Sequence, residues 1–183
     1  ELIYFQVFII GLCIGSFLNV IIYRFPNNLS IIKPRSFCPS CKTQLTWREN
    51  IPLISWFIQG GKCKTCKTTI SFRYPLIELL TGFLFIIFSN SSPSLYASSS
   101  SWFFNTCFSW SFLSLLICIS LIDIEYLWIP QGLVNFGFIS GFLGLIFLVI
   151  FGREFNKIIF LLKGLGSPLI SFLIFEIFRR LAK

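Results

Sequence analysis

Five apolar runs, near residues 4–23, 75–89, 102–122, 133–151 and 158–178, leave this chain little freedom of fold class. Several approach or exceed the roughly 20 apolar residues that a helix needs to cross bilayer hydrocarbon. Charged residues make up 12% of the sequence and the mean hydropathy is +0.82. A water-soluble domain carries about twice that share of charge, so a soluble fold with an unusually apolar core is the weaker reading. The expected fold is an all-α polytopic membrane protein of about five transmembrane helices, surrounded by membrane lipid. No basic stretch precedes the first run and no small-residue cleavage site follows it, so it is expected to be an anchor and not a removable signal.

Residues 25–74 interrupt this pattern. Arg24, Lys33, Arg35, Lys42, Arg48, Lys62, Lys64, Lys67 and Arg73 lie between positions 24 and 75, against the single acid Glu49, so nine of the fifteen basic residues sit in one inter-helix segment. The tendency of basic loops to stay inside accounts for this charge and places the segment in the cytoplasm, with no nucleic-acid partner required. Five spans with the first residue outside satisfy the rule at three places; Arg153 and Lys157, in the turn over 152–157, are the exception. The division expected is a first transmembrane helix over 1–24, a cytoplasmic insert over 25–74 and a helical bundle over 75–183.

The insert holds two tight cysteine pairs, Cys38-x2-Cys41 and Cys63-x2-Cys66. In a reducing compartment such pairs bind metal more often than they form disulfides. Two such turns deliver four thiolates to one tetrahedral zinc, which closes the coordination shell and makes the site structural. About fifty residues bury too little apolar surface to stand alone, and a metal supplies what area cannot. A small zinc-ribbon-like domain is expected, with a redox pair or an iron–sulfur cluster as weaker readings. Cys13, Cys107 and Cys118 fall in apolar runs and are expected to be buried small hydrophobes.

Catalytic options are few. The sequence contains no histidine, which excludes histidine-based triads and histidine–metal chemistry within this chain. Asp123 is its one aspartate and ends the third apolar run. Ionisable groups at membrane depth are costly and are usually paired or functional. Aspartyl peptide hydrolysis needs two carboxyl groups sharing one proton, and Asp123 supplies one of them. Glu78 and Glu125 lie at the same topological level, with Glu78 expected to pair with Arg73 or Arg24 or to hold the insert against the bundle. Gly11 and Gly15 leave room for close helix contact, in a bundle or a homo-oligomer, and Asn19 one turn on is read as helix–helix glue.

Taken together, Gly15-Ser16-Phe17-Leu18-Asn19-Val20 with Tyr23-Arg24, Pro34-Arg35 before Cys38-Pro39-Ser40-Cys41, and Glu49-Asn50-Ile51-Pro52-Leu53-Ile54-Ser55 form a recognisable series. It continues through Gly61-Lys62-Cys63-Lys64-Thr65-Cys66, Ile70-Ser71-Phe72-Arg73-Tyr74-Pro75-Leu76-Ile77-Glu78, and Ile122-Asp123 with Ile129-Pro130. The chain resembles the bifunctional prepilin peptidases. That resemblance implies a bacterial inner-membrane aspartyl endopeptidase that cuts basic leaders from type IV prepilins or type II secretion pseudopilins at the cytoplasmic face. It also implies methylation of the new amino terminus with S-adenosylmethionine, a role attached to the four-cysteine insert, and it places Asp123 at the family's first catalytic aspartate. The family's second aspartate stands in a Gly-x-Gly-Asp motif that residues 1–183 do not contain; Gly164-Leu165-Gly166-Ser167 is read as helix packing. Glu125 and Gln131 also depart from the family pattern. The expectation is an incomplete, inactive form, and the alternative is a noncatalytic zinc-bearing membrane protein that binds pilin-like substrates or stabilises an assembly.

Overall fold

The computed structural model describes residues 2–90 and 99–151, and their regular structure is helical. Four long helices carry the architecture: α1 (Leu2–Arg24), α3 (Arg73–Asn90), α4 (Ser99–Tyr126) and α5 (Gln131–Phe151). The short α2 (Ile54–Ile58) lies in the insert, after a single 3-10 turn at Arg48–Asn50. Among the described residues, two segments, Leu2–Arg24 and Thr106–Tyr126, are long and apolar enough to cross a membrane. The expected fifth span over 158–178, the turn at 152–157 and the Gly164–Ser167 stretch lie outside the described residues, as does most of the polar loop.

Backbone contact between α1 and α3 organises the rest. A Cβ placed on Gly11 would lie 2.6 Å from the Cα of Gly82, and one on Gly15 would lie 2.7 Å from the Cα of Glu78. Asn19 continues the row, its Nδ2 donating to the Tyr74 carbonyl at 3.1 Å. The pairs 11/82, 15/78 and 19/74 share one sum, which defines an antiparallel crossing in constant register. Where lipid competes with the interface on equal terms, small residues of this kind allow the van der Waals contact that holds helices together. Thus Asn19 is the helix–helix glue that its place in the sequence suggests.

The remaining helices add to this pair in antiparallel fashion. Trp110 of α4 stacks on Phe85 of α3, centroids 4.8 Å apart, and its Nε1 donates to the Phe85 carbonyl and the Ser89 hydroxyl. Ile22, Ile77, Phe85, Ile117, Cys118 and Ile122 form the buried core where the three helices meet. Large apolar side chains, including Phe5, Ile9, Phe83, Ile87, Phe138 and Phe142, cover the outer surface of the bundle. In water such a surface would be an aggregation hazard; hydrocarbon solvates it.

Two helix boundaries next to the insert and Asp123 differ from the sequence expectation. Helix α3 starts at Arg73, two residues before Pro75, because proline lacks only a donor that a first turn does not use. Helix α4 runs on to Tyr126, so Asp123 stands inside its last turns and not in a link after it. No glycine or proline interrupts 123–126, and the helix ends where Leu127 takes a positive φ of 49°, leaving a connection of four residues. Cys13 is also exposed on the outer face, in contrast to Cys118, which is buried as expected.

The glycine contact makes a stability prediction. Gly15→Val should lower the stability of the helical bundle by about 1–3 kcal/mol, since the new methyls meet backbone that cannot rotate away. Gly141→Ala, where nothing lies within 4 Å, should change it by less than about 0.5 kcal/mol. Unfolding in mixed micelles, followed by circular dichroism, distinguishes the two.

Candidate metal centre and adjoining cavity

The insert folds as two copies of one small turn. In the first, the Cys38 amide donates to Thr43 O at 3.0 Å, Lys42 N to Cys38 O at 2.9 Å and Leu45 N to Ser36 O at 2.8 Å. In the second, Cys63 N donates to Thr68 O at 2.9 Å, Lys67 N to Cys63 O at 3.0 Å and Ile70 N to Gly61 O at 2.7 Å. Lys42 and Lys67 take matching left-handed conformations, with φ of 59° and 60°. Isolated antiparallel bridges, Phe37 with Gln44 and Lys62 with Thr69, are the only strand-like pairing among the described residues. The repeat is visible in the sequence as Cys-x-x-Cys-Lys-Thr at an offset of 25, a signal that cysteine spacing by itself does not exploit.

These turns face each other through their sulfurs. Cys38 Sγ lies 3.8 Å from Cys66 Sγ, Cys41 Sγ lies 4.0 Å from Cys63 Sγ, and all four sulfurs fall within 4.8 Å of one another. Tetrahedral zinc with bonds of about 2.3 Å separates its sulfurs by roughly 3.8 Å, so the donor set fits the ion. The protonation chemistry points the same way. The amide of Cys41, ahead of that of Ser40, draws the Cys38 thiol down to about 6 against the cost of burial. The Thr68 hydroxyl and amide lower Cys66, whereas Cys63, drawn down by the Cys66 and Thr65 amides, is left raised by burial and the adjacent thiols. Thiolates this close cannot all ionise unaided, and a divalent cation at their centre removes the conflict.

Other side chains fasten the insert to the bundle. Glu78, only 8% exposed, accepts the Leu53 amide at 2.8 Å and contacts the Ser16 hydroxyl. It therefore holds the insert, the third of its expected roles, and pairs with neither Arg73 nor Arg24. Leu53 has a positive φ of 58°, so its N–H is presented away from ordinary local partners, and the carboxylate satisfies it. Arg24 spends its guanidinium on the carbonyls of Ser30, Ile31 and Arg35 and lies 5.4 Å from the Phe37 ring centroid. Gly61, with φ of 66°, lies so close to the Trp56 ring that a Cβ would approach it to 2.8 Å. Glu49 closes a turn back on Thr46, its carboxylate accepting the Thr46 amide at 2.8 Å and the Thr46 hydroxyl at 2.7 Å. Those bonds, the amide first, hold the Glu49 carboxyl below its usual range; the turn is therefore firmest near neutral pH and loosens as acid protonates it.

Among the described residues the carboxylates do not gather. Asp123 is exposed near the end of α4, and Glu125, two residues on, forms an ion pair with Arg73 at the start of α3. Among the described residues, Glu78 is thus committed to Leu53, Glu125 to Arg73 and Glu49 to Thr46. None is left as an evident proton-sharing partner for Asp123, nor as a free anion for a basic peptide. Beside the cysteine cluster, a cavity of about 340 Å³ opens between the insert and helices α1 and α3, lined among others by Asn19, Tyr23, Trp56, Tyr74 and Glu78.

Residues 9–91 match the family described as the bacterial peptidase A24 N-terminal domain. A prepilin leader peptidase/N-methyltransferase of Myxococcus xanthus (strain DK1622) is 40% identical over 134 residues, 73% of this chain and 38% of that protein. A type 4 prepilin-like proteins leader peptide-processing enzyme of Escherichia coli O78:H11 (strain H10407 / ETEC) is 36% identical over 154 residues, 71% of this chain and 54% of that one. The prepilin leader peptidase/N-methyltransferase of Bacillus subtilis (strain 168) is 41% identical over 132 residues, 70% of this chain and 49% of its own length. The chain matches these proteins at family level and spans about half or less of the length of each. No solved structure matches it.

A metal prediction follows from the sulfur geometry. Purified, reduced protein should carry about one equivalent of zinc by metal analysis, and Cys38→Ser or Cys63→Ser should lower this severalfold. Cys13→Ser, on the outer face of α1, should leave it unchanged.

Proposed function

We propose that this chain carries the four-cysteine insert and the first catalytic aspartate of a membrane aspartyl endopeptidase that removes basic leaders from type IV prepilins or pseudopilins and methylates the exposed amino terminus. The observation that carries the proposal is the joint occurrence of a four-thiolate cluster, latched to α1 and α3, with family-level similarity through 9–91. The relatives' names supply the two activities. In this reading 1–24 is the first span, 25–74 the cytoplasmic zinc insert held by Cys38, Cys41, Cys63 and Cys66, and 75–183 the first part of the peptidase bundle in the bacterial inner membrane.

Asp123 carries one half of the hydrolytic chemistry. An ionised carboxylate takes a proton from water as the water oxygen bonds to the scissile carbonyl carbon; a second, protonated carboxyl group donates to the carbonyl oxygen. The carbon–nitrogen bond then breaks with its electron pair going to nitrogen, which receives a proton. The second carboxyl group comes from outside the described residues, since Glu49, Glu78 and Glu125 are engaged elsewhere. Zinc acts structurally, because four thiolates leave it no open position. S-adenosylmethionine, when bound, supplies an electrophilic methyl group to the new amine.

A noncatalytic zinc-bearing assembly protein is the contrasting class, and activity separates the two. Residues 1–183 by themselves should not cleave a prepilin, whereas a form extended by a Gly-x-Gly-Asp segment should. Asp123→Asn in the cleaving form should lower the rate by at least about 10²-fold, on the scale of a lost general base. Full activity of the Asn variant would remove Asp123 from the mechanism. The expected orientation is tested separately: an impermeant maleimide should label a cysteine placed at Ser40 only after the cytoplasmic face is exposed.

A further inference from the structure

The short α2 turns its apolar side away from the protein. Ile54, Phe57 and Ile58 fall at i, i+3 and i+4, one face of a helix, and are 56%, 64% and 80% exposed. A soluble domain would bury such a face. Ser55 and Trp56 stand on the other side and are the residues tied down. Ser55 Oγ donates back to the Ile51 carbonyl at 2.7 Å, and Trp56 Nε1 donates to the Ile70 carbonyl at 3.1 Å. The Trp56 ring also meets Phe72 edge-on, centroids 5.6 Å apart, and packs on Gly61. These contacts fix the rotation of α2, so its apolar face cannot turn inward without breaking them.

What covers this face follows from its place. The amide of Leu53, immediately before α2, is bonded to Glu78 at 2.8 Å. Glu78 is five residues, about 7.5 Å, along α3 from Arg73 at the helix start. Helix α2 is therefore level with the end of the bundle and not raised above it. Phe72, itself exposed, begins an outward stripe that continues on α3 through Leu76, Leu80 and Phe83. Hydrocarbon covers that stripe where α3 lies in a bilayer, and Phe72 joins the α2 face to it. Leu127, Trp128 and Ile129 expose large apolar side chains at the same end, which the Arg73–Glu125 pair brings level with the start of α3. Lys62, Lys64 and Lys67, all exposed, follow α2 directly. An apolar face flanked by cations complements a bilayer surface, whose acyl chains take the one and whose anionic headgroups take the other.

We propose that α2 is an interfacial anchor for the insert. Its face of Ile54, Phe57 and Ile58, extended by Phe72, rests among the lipids at the insert-bearing end of the bundle, and the lysines that follow are drawn to anionic headgroups. An interfacial helix sinks its apolar face about 5–10 Å into the boundary between headgroups and acyl chains, in keeping with the level set by Glu78. The insert is then held twice, by Glu78 from the bundle and by α2 from the lipid. Neither enzymatic activity is needed for this contact, which depends only on the bundle lying in a bilayer.

A phospholipid bearing a diazirine near the top of its acyl chain tests this on the full chain, in nanodiscs of equal parts phosphatidylcholine and phosphatidylglycerol. Irradiation and peptide mapping should place adducts on residues 54–58 and on Phe72, besides those that the stripe over 76–83 must receive. Phe57→Asp combined with Ile58→Asp should cut the 54–58 adducts at least fivefold and leave those on α3 in place, with zinc content and melting temperature verifying the fold. In phosphatidylcholine alone the 54–58 adducts should fall at least twofold; an unchanged yield would remove the lysines from the contact. Adducts confined to α3 in the unsubstituted protein would overturn the anchor outright. So would a benzoylphenylalanine in place of Phe57 that cross-links to a prepilin or to residues 152–183 in place of lipid.

Discussion

The close approach of α1 and α3 is the constraint on which the other features depend. Gly11 and Gly15 bring two backbones together in a register continued by Asn19 and Tyr74. That register fixes the separation of Arg24 and Arg73, the two points between which the insert must close. It also sets Glu78 beside Ser16 and within reach of Leu53. A bulkier residue at position 15 would move the latch, the cavity and the insert together. The small residues of α1 therefore act on the insert-bearing end of the protein through geometry alone.

A second level of organisation is the division of labour between thiolates and carboxylates. The four sulfurs close the insert on itself, as two matching turns whose thiols are placed to hold one metal ion. Glu78 and the Arg73–Glu125 pair then join the insert and its neighbouring helix ends to the bundle. Removing zinc should therefore loosen the turns before the helices, whose packing through Phe85, Trp110 and Ile122 does not involve the insert. Because Glu125 is taken by Arg73, the end of α4 that bears Asp123 is tied to the start of α3, next to the cavity wall at Tyr74.

Much of this was legible in the sequence. Periodicity was not needed to find the long helices, since apolar length was sufficient for α1, α4 and α5, and the cysteine spacing found the thiolate cluster directly. The charge of residues 24–75 marked the insert. What the sequence concealed was direction. Glu78 had three reasonable partners, and only the left-handed Leu53 makes its amide the available one. The last turns of α4 were missed because an aspartate and a glutamate in an apolar setting suggest a boundary, although neither breaks a helix; an ion pair with Arg73 makes the extra turn favourable. The cavity and the bond from Asn19 to Tyr74 arise from contacts over 55 residues, which no local pattern encodes.

Hydrogen exchange across residues 50–56 addresses the central claim, that the helix pair holds the insert through the buried Glu78 carboxylate. In zinc-loaded protein the Leu53 amide should be protected, and Glu78→Ala should raise exchange in this segment at least tenfold while the amides of Cys38 and Cys63 stay protected. Unchanged exchange across 50–56 in the variant would contradict the account, because the insert would then be held by its own turns and not by the bundle.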